Sequence, residues 1–460
     1  MNNILNCPSP LKLRVLTFFI CFFVLILQSG PIPASASSAE EETYKNLEVF
    51  ANVLSILKDN YVEDINPEEV IQGAIKGMLT SLDPHSSYLK PESYKDLQIE
   101  TQGSFSGIGI EVTIKDGVLI VVSPIEGTPA DEKGLKAGDK IIKIGNEFTK
   151  DLTLMEAVHL LRGEKGSQVT LSIHREGWTD LHNITITRDV IPLHSVKAKL
   201  LDEGYAYIRI TNFQAQTTKE TQEALLDLQK GHPIKGLILD LRNNPGGLLD
   251  QAIKISDLFL DDGIIVSTKG RIKNQNMEFI AHSDGERNNF PIIILVNEGS
   301  ASASEIVAGA LQDHKRALVL GVQTFGKGSV QTVIPMSNGA GLRLTTARYY
   351  TPNGTSIQAK GITPDIKVEN QVIPKDSDKE KKQTNHRYIR EKDLKRHITN
   401  GIEIDAPAKT DGDAIQPENE NAAPNETENE IQNDQQFKAA LMLLKGLNVL
   451  GNLKDSPQLP

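Results

Sequence analysis

The chain has 460 residues, of which 39% are hydrophobic and 24% charged, and its formal net charge is −11. That length admits about three domains, and that composition describes an ordinary globular protein. The negative balance excludes a nucleic-acid binder, which needs a positive field to meet phosphate, and it serves solubility.

Lys12 and Arg14 precede an apolar run from Val15 to Leu27, and Gly30, Pro31 and Pro33 lead into Ala34-Ser35-Ala36. A basic start, a short apolar centre and an A-x-A site are the parts of a secretory signal peptide. Residues 1–36 therefore read as a leader cleaved after Ala36. The apolar run is shorter than the roughly 20 residues that span a bilayer. The expected location is outside the cytoplasm, in the periplasm or cell envelope, with an inner-membrane anchor as the alternative if the leader is not cleaved. Cys7 and Cys21, the only cysteines, both lie in that leader. The mature chain then offers no disulfide, no thiolate metal site and no cysteine nucleophile.

Residues 37–100 carry helical periodicity at Leu47, Phe50, Leu54 and Leu57 and again at Val70, Ala74, Ile75 and Met78, with Pro67 where a first helical turn accepts it. Residues 101–190 change to short strands at 118–122, 140–144 and 169–174. Two short helices interrupt them, one after Thr128-Pro129-Ala130 and one over 153–161. Residues 191–369 contain wholly apolar strands at 237–241, 292–296 and 317–320, with an amphipathic helix marked by Leu248, Leu249, Ala252, Ile253 and Leu258. Strands buried on both faces and alternating with helices imply an α/β core. In the remaining region, 370–460, residues 406–436 are rich in Asn, Glu, Pro and Asp and read as a linker. A last helix over 437–449 carries Leu441, Leu443, Leu444 and Leu447. Its apolar face needs covering by the N-terminal helices or a second subunit. This tail shows almost no functional signal.

Three stretches of the α/β segment could do chemistry. In Asn297-Glu298-Gly299-Ser300-Ala301-Ser302-Ala303-Ser304-Glu305 a buried strand stops, a glycine turns the chain and a helix begins. Free N–H groups at a helix start can hold an oxyanion beside a serine nucleophile. Ser302 with Glu305 also fits a capping box, and the stretch alone does not rank Ser300, Ser302 and Ser304. A serine needs a base, yet no histidine sits in a protease context and there is no G-x-S-x-G elbow. A lysine kept neutral by burial is the other choice, and Lys327 in Thr324-Phe325-Gly326-Lys327-Gly328-Ser329-Val330-Gln331 is the candidate. A solvated loop lysine is the plainer reading. Gly321 to Lys327 mimics a phosphate loop, but Gly328 replaces the required Ser or Thr and a strand follows, so nucleotide binding is rejected. The third stretch, Asp240-Leu241-Arg242-Asn243-Asn244-Pro245-Gly246-Gly247, could aim N–H groups at a carbonyl or could simply be a tight turn.

Together these stretches resemble the C-terminal processing peptidases, also called tail-specific proteases (peptidase family S41). The resemblance runs from about Asn46 to Val368 and adds two further marks, Ser81-Leu82-Asp83-Pro84-His85-Ser86-Ser87-Tyr88 and Tyr349-Tyr350-Thr351-Pro352-Asn353-Gly354. It implies an α/β catalytic core of the ClpP/crotonase-like kind, with an inserted PDZ domain (a small β-rich α+β unit) and helical N- and C-terminal regions. It implies Ser302 as nucleophile, Lys327 as general base and Gln331 as a residue orienting the lysine. The oxyanion donors implied are the N–H of Ala303 and one from Gly246 or Gly247. Asp313 lies on the same helix face as Ser302, about 16 Å along the axis, and its role stays open. The PDZ segment would bind peptides by strand addition, with Gly107, Ile108, Gly109 and Ile110 as the carboxylate-binding loop. Ile108, Ile110 and the helix over 153–161 would line its groove. Arg162, just past that helix, reads as a surface arginine, with contact to the protease segment as the alternative.

The implied activity is serine endopeptidase cleavage of cell-envelope proteins near their C-termini, with no metal and no organic cofactor. The expected partners are protein or peptide substrates with free apolar C-termini. A homo-oligomer through the N- and C-terminal helices, and an adaptor protein, stay open. The rival readings are an inactive PDZ-based binding or chaperone protein and a hydrolase of another class.

Overall fold

The computed structural model describes residues 35–201, 204–231, 233–283, 289–369, 389–399 and 434–454. The expected leader therefore lies almost wholly outside the described residues, as does the expected linker up to residue 433. Among the described residues no helix is long and apolar enough to cross a membrane. The chain divides into two units, at Gly77 and Met78. The first contains helix α1 (Ser35–Asn60) and most of α2 (Pro67–Thr80). The start of α2 is set locally, since Asn66 Oδ1 accepts the N–H of Glu68 at 3.0 Å and Pro67 supplies a pre-set φ.

The second unit holds a small β domain and a larger α/β core. Strands β1 (Ser87–Leu89) and β2 (Ser104–Gly107) flank α3 (Pro91–Gln102). In the β domain, β3 (Ile110–Lys115), β4 (Val118–Pro124), β5 (Lys140–Ile144), β7 (Gln168–His174) and β8 (His182–Thr187) lie in the order β3-β4-β5-β7-β8. The short β6 (Glu147–Phe148) pairs with β5, and a four-residue α4 (Pro129–Glu132) follows β4. Helix α5 (Leu154–Leu161) starts at a true capping box: Thr153 Oγ1 accepts from Glu156 N–H at 3.3 Å, and the Glu156 carboxylate accepts from Thr153 N–H at 2.8 Å. Leu119, Val121, Ile141, Leu171, Ile173 and Ile186 form this domain's own core. The pair formed by β2 and β9 (Asp189–Pro192) closes the domain where the chain enters and leaves.

The core sheet contains β10 (Val196–Leu200), β11 (Tyr205–Ile210), β12 (Gly236–Asp240), β15 (Ile292–Val296), β16 (Ala317–Gly321) and β19 (Ile366–Lys367), in that order. Only the β10–β11 pair is antiparallel. Helices α6 (Thr217–Leu228), α7 (Leu249–Asp257) and α8 (Ala303–Asp313) make the crossovers. A second, antiparallel sheet holds β1, β13 (Ile264–Gly270), β14 (Met277–Ile280), β17 (Ser329–Pro335) and β18 (Gly341–Tyr350).

Side chains alternate across a strand, and both faces of the core sheet are covered. Leu237, Leu239, Ile292 and Ile294 face one cluster with α7 and α8. Ile238, Ile293, Leu295 and Tyr207 face another, which is roofed by Phe437, Ala440 and Leu444 of α9 (Gln435–Lys454). This corrects the sequence reading, in which the terminal helix lay on the N-terminal helices or a second subunit. It supplies the missing layer over strands that are apolar on both faces. Gly236 makes room for it, since a Cβ there would lie 3.1 Å from Leu444 Cδ2. Leu444→Ala is expected to cost about 2–5 kcal/mol of stability, read as a lower denaturation midpoint in urea. A midpoint equal to the parent's would mean that the helix is not docked in solution.

The same helix ties into the end of β12. Asp240 is fully buried and accepts from Arg242 Nη2 at 2.6 Å and from the Tyr207 hydroxyl at 2.9 Å. Arg242 also reaches Asp434 at 2.6 Å and Gln436 Oε1 at 3.1 Å. A buried arginine with its donors shared among three acceptors fixes the loop that follows it.

Candidate active site

Beyond the carboxyl ends of β12 and β15, two loops are stitched together. Asn297 Oδ1 accepts from Asn243 N–H at 2.8 Å, and Asn297 Nδ2 donates to Asn243 Oδ1 at 2.7 Å. This brings 240–247 against the serine segment. The three serines then separate. Ser300 and Ser304 are fully buried, their hydroxyls spent on Leu241 O at 2.8 Å and Asn244 O at 3.0 Å. The Ser302 side chain is half-buried and its hydroxyl makes no hydrogen bond among the described residues. Ser302 also has φ +53° and ψ −111°. A residue with a Cβ is strained there, and surrounding contacts must hold it. The capping-box expectation is half right. The Glu305 carboxylate accepts from Ser302 N–H, but Glu305 N–H bonds to the Ser302 carbonyl and leaves the hydroxyl uncommitted.

The glycine pair lies directly against this turn. A Cβ at Gly246 would come within 2.8 Å of Ser302 Cβ, and φ there is +105°, so only glycine fits. Gly246 N–H is already committed to Asn244 Oδ1 at 2.9 Å. The N–H groups of Gly247 and Ala303 have no acceptor among the described residues. Of the two glycines, Gly247 is the one that leaves a donor free.

Lys327 stands in the loop before β17. Gly328 is required beside it, because a Cβ would meet Gln358 N at 2.2 Å. The lysine loop and the serine turn are joined by a residue that the sequence reading treated only as a cap. Glu305 is fully buried, and its carboxylate accepts from Ser302 N–H at 2.8 Å, Lys327 N–H at 2.9 Å, Gly326 N–H at 2.8 Å and the Thr324 hydroxyl at 2.5 Å. One oxygen, Oε2, serves both the Ser302 and the Lys327 backbone. Burial pushes this carboxyl up to about 7, against the four donors that favour its charged form. The Lys327 amine is held below the ordinary lysine value, first by burial and then by the Arg343 guanidinium, while Glu391 and Glu305 act in the opposite direction. It makes no hydrogen bond among the described residues. Gln331 donates to Thr345 Oγ1 at 2.7 Å, and its amide oxygen is buried with no partner. A buried carbonyl without a donor is costly, and an amine that needs an acceptor stands four residues away in sequence.

In the β domain, β3 is an edge strand, with α5 alongside. The N–H groups of Ile108 and Gly109 have no acceptor among the described residues. An open edge with free donors at its start suits an added strand that ends in a carboxylate. Ile108 itself is 2% exposed and belongs to the domain core, so the groove wall is Ile110 rather than Ile108.

Sequence profiles match at three places: peptidase family S41 over residues 204–368, a PDZ domain over 106–186, and the activating protease CtpB N-terminal domain over 27–93. The chain is 50% identical to a carboxy-terminal-processing protease of Bartonella bacilliformis over 338 residues, covering 73% of this chain and 77% of that protein. The chain belongs to peptidase family S41, among the carboxy-terminal processing proteases. It is also 40% identical to the carboxy-terminal processing protease CtpA of Bacillus subtilis over 314 residues, 68% of this chain and 67% of that one. Among solved structures, a photosystem II D1 C-terminal processing protease is 30% identical and aligns at a TM-score of 0.41 over 70% of this chain and 92% of its own.

The protease is thus a serine peptidase with a PDZ domain. Sequence reasoning gave no role to several residues around its site, although Asp83 and His85 lie in one of the stretches that carry the resemblance. Asp83 is buried and accepts from the N–H groups of His85 and Ser86, from the Ser86 hydroxyl and from Thr345 Oγ1, the group that also holds Gln331. Glu391 lies in the tail that showed almost no signal, yet it is fully buried against His85 and Gln358. The two open roles gain contacts. Asp313 accepts from Asn353 N–H at 2.9 Å and so steadies the Tyr349–Gly354 turn. Arg162 is not a free surface arginine. It pairs with Asp96 of α3 at 3.1 Å and stands over the Phe105 ring at 5.2 Å, at a cavity of about 490 Å³ between the PDZ domain and α3.

Proposed function

We propose that the protease cleaves exported proteins near their free C-termini, with Ser302 as nucleophile and Lys327 as base. The observation that carries this reading is Ser302 itself: of the three serines it alone keeps an unbonded hydroxyl, on strained backbone at a strand-to-helix turn. Strain retained at one residue marks a site where the surroundings over-determine geometry for chemistry. The neutral Lys327 amine takes the Ser302 proton as Oγ attacks the scissile carbonyl carbon. Negative charge on the carbonyl oxygen meets the N–H groups of Ala303 and Gly247. The C–N bond then breaks, and the ammonium returns its proton to the leaving amine. Water repeats the sequence on the acyl-serine ester and frees the enzyme. Gln331 offers its amide oxygen to orient the lysine.

The PDZ domain, read as residues 101–190, supplies recognition, with the N–H groups of Ile108 and Gly109 meeting a carboxylate and Ile110 meeting an apolar last side chain. The leader places the enzyme in the cell envelope. Partners beyond the substrate, a second copy or an adaptor, would use apolar surface such as Val49, Phe50 and Val53 of α1, which is exposed.

The test uses two peptides that differ only at the end, one with a free apolar C-terminus and one amidated. The free peptide should be cleaved with a KM at least about tenfold lower, since an amide forfeits charge-assisted bonds to the loop. Equal kinetics on both would remove C-terminal recognition from this reading. Binding of the free peptide without hydrolysis would favour the inactive binding protein.

A further inference from the structure

The tail beyond the S41 match returns one segment to the lysine loop. Glu391 lies on it, with its side chain wholly out of solvent. Both of its oxygens face His85 Nε2, at 2.9 and 2.8 Å. Oε1 also accepts from Gln358 Nε2 at 2.7 Å. The other end of Gln358 accepts from Gly328 N–H at 3.0 Å, and Glu391 N–H bonds to the Phe325 carbonyl at 3.3 Å. Glu391 therefore grips the loop on both sides of Lys327.

We propose that Glu391, held by His85 and Gln358, is a positioning residue that compensates the charge of Lys327 and fixes the loop carrying it. The reasoning rests on Lys327 being the base. A buried carboxylate is expensive unless it is paired and bonded, and this one has three donor contacts, from His85 and Gln358, but among the described residues no lysine or arginine forms an ion pair with it. The ionisable groups acting on Lys327 come from three elements, Glu391 from the tail, Glu305 from α8 and Arg343 from β18, and His85 touches Glu391 rather than the lysine. Arg343 and burial favour the neutral amine. Glu391 favours the ammonium that forms when Lys327 takes the serine proton. A base that must both accept and return a proton needs each form within reach at working pH.

The test reads Lys327 directly. In a Ser302→Ala background, which prevents self-cleavage, the rate of Lys327 carbamoylation by cyanate is followed against pH by mass spectrometry. Glu391→Gln, which preserves size and can still bond Gln358, should lower the midpoint by about one pH unit, because a neighbouring negative charge is lost. Glu391→Asp, which keeps the charge, should hold the parent midpoint. With Ser302 present, the acid limb of kcat/KM should move down in Glu391→Gln in the same direction. If Gln at 391 does not fold, Glu391→Met, similar in length and uncharged, repeats the measurement. An unmoved midpoint, or failure of both neutral variants to fold, makes Glu391 only a structural anchor of the tail and overturns the proposal. The base assignment fails separately, if Lys327→Ala keeps its activity, whatever the labelling shows.

Discussion

Lys327→Ala is expected to lower kcat/KM by about a thousandfold or more, and Ser302→Ala by at least as much, with both variants folded. Residues that act as one unit are non-additive, so the double variant should be no worse than either single one. The lysine works only as the neutral amine, and burial with Arg343 holds its proton less tightly than in an ordinary lysine. Parent activity should therefore rise with pH through a midpoint below the ordinary lysine range and should be lost as pH falls and the amine becomes charged. Lys327→Arg keeps the positive charge but cannot act as a base near neutral pH, so it should be as inactive as the alanine variant. Activity surviving in Lys327→Ala would send the search for a base to another group, beginning with His85, which is linked to the lysine loop through Glu391 and Gln358.

Much of the fold was legible because its signals are local. The apolar strands 237–241, 292–296 and 317–320 match β12, β15 and β16 within a residue, and Pro67 and Thr153 stand at or next to the helix starts they suggest. The covering of the second sheet face was not legible. The pattern of 437–449 shows that the helix has an apolar face, but not which surface meets it. That depends on Gly236, two hundred residues away, being small enough to admit Leu444. The site divides in the same way. Ser302 and Lys327 stand out by resemblance, whereas Ser300 and Ser304 could be set aside only once Leu241 and Asn244 were seen to accept their hydroxyls. Glu391 could not be found at all, since a glutamate among lysines in a polar tail looks like any solvated charge. Its burial is a property of the packed chain.

Glu305→Gln is expected to reduce kcat by about a hundredfold, with a much smaller change in KM. Four donors converge on this carboxylate, two on each oxygen. An amide replaces one acceptor oxygen by NH2, which then faces two donors it cannot satisfy. Either the Ser302 and Lys327 N–H pair or the Gly326 and Thr324 pair loses its anchor. Small misplacements of reacting groups cost on the order of a hundredfold, and the Ser302 and Lys327 backbones share one of these oxygens. The parent's pH behaviour carries an independent signature. The folded-state value of about 7 is above that of an unfolded glutamate, so the folded state holds this proton more tightly. Its stabilising contribution is thus fully present below the unfolded value and is lost as pH rises through about 7. Activity should run the other way, because only the charged carboxylate accepts from all four donors. Denaturation midpoints and kcat measured between pH 5 and 8 should therefore show opposite slopes, and Glu305→Gln should flatten the stability slope. A Glu305→Gln enzyme within about threefold of the parent kcat would show that the clamp does not position the serine and the lysine.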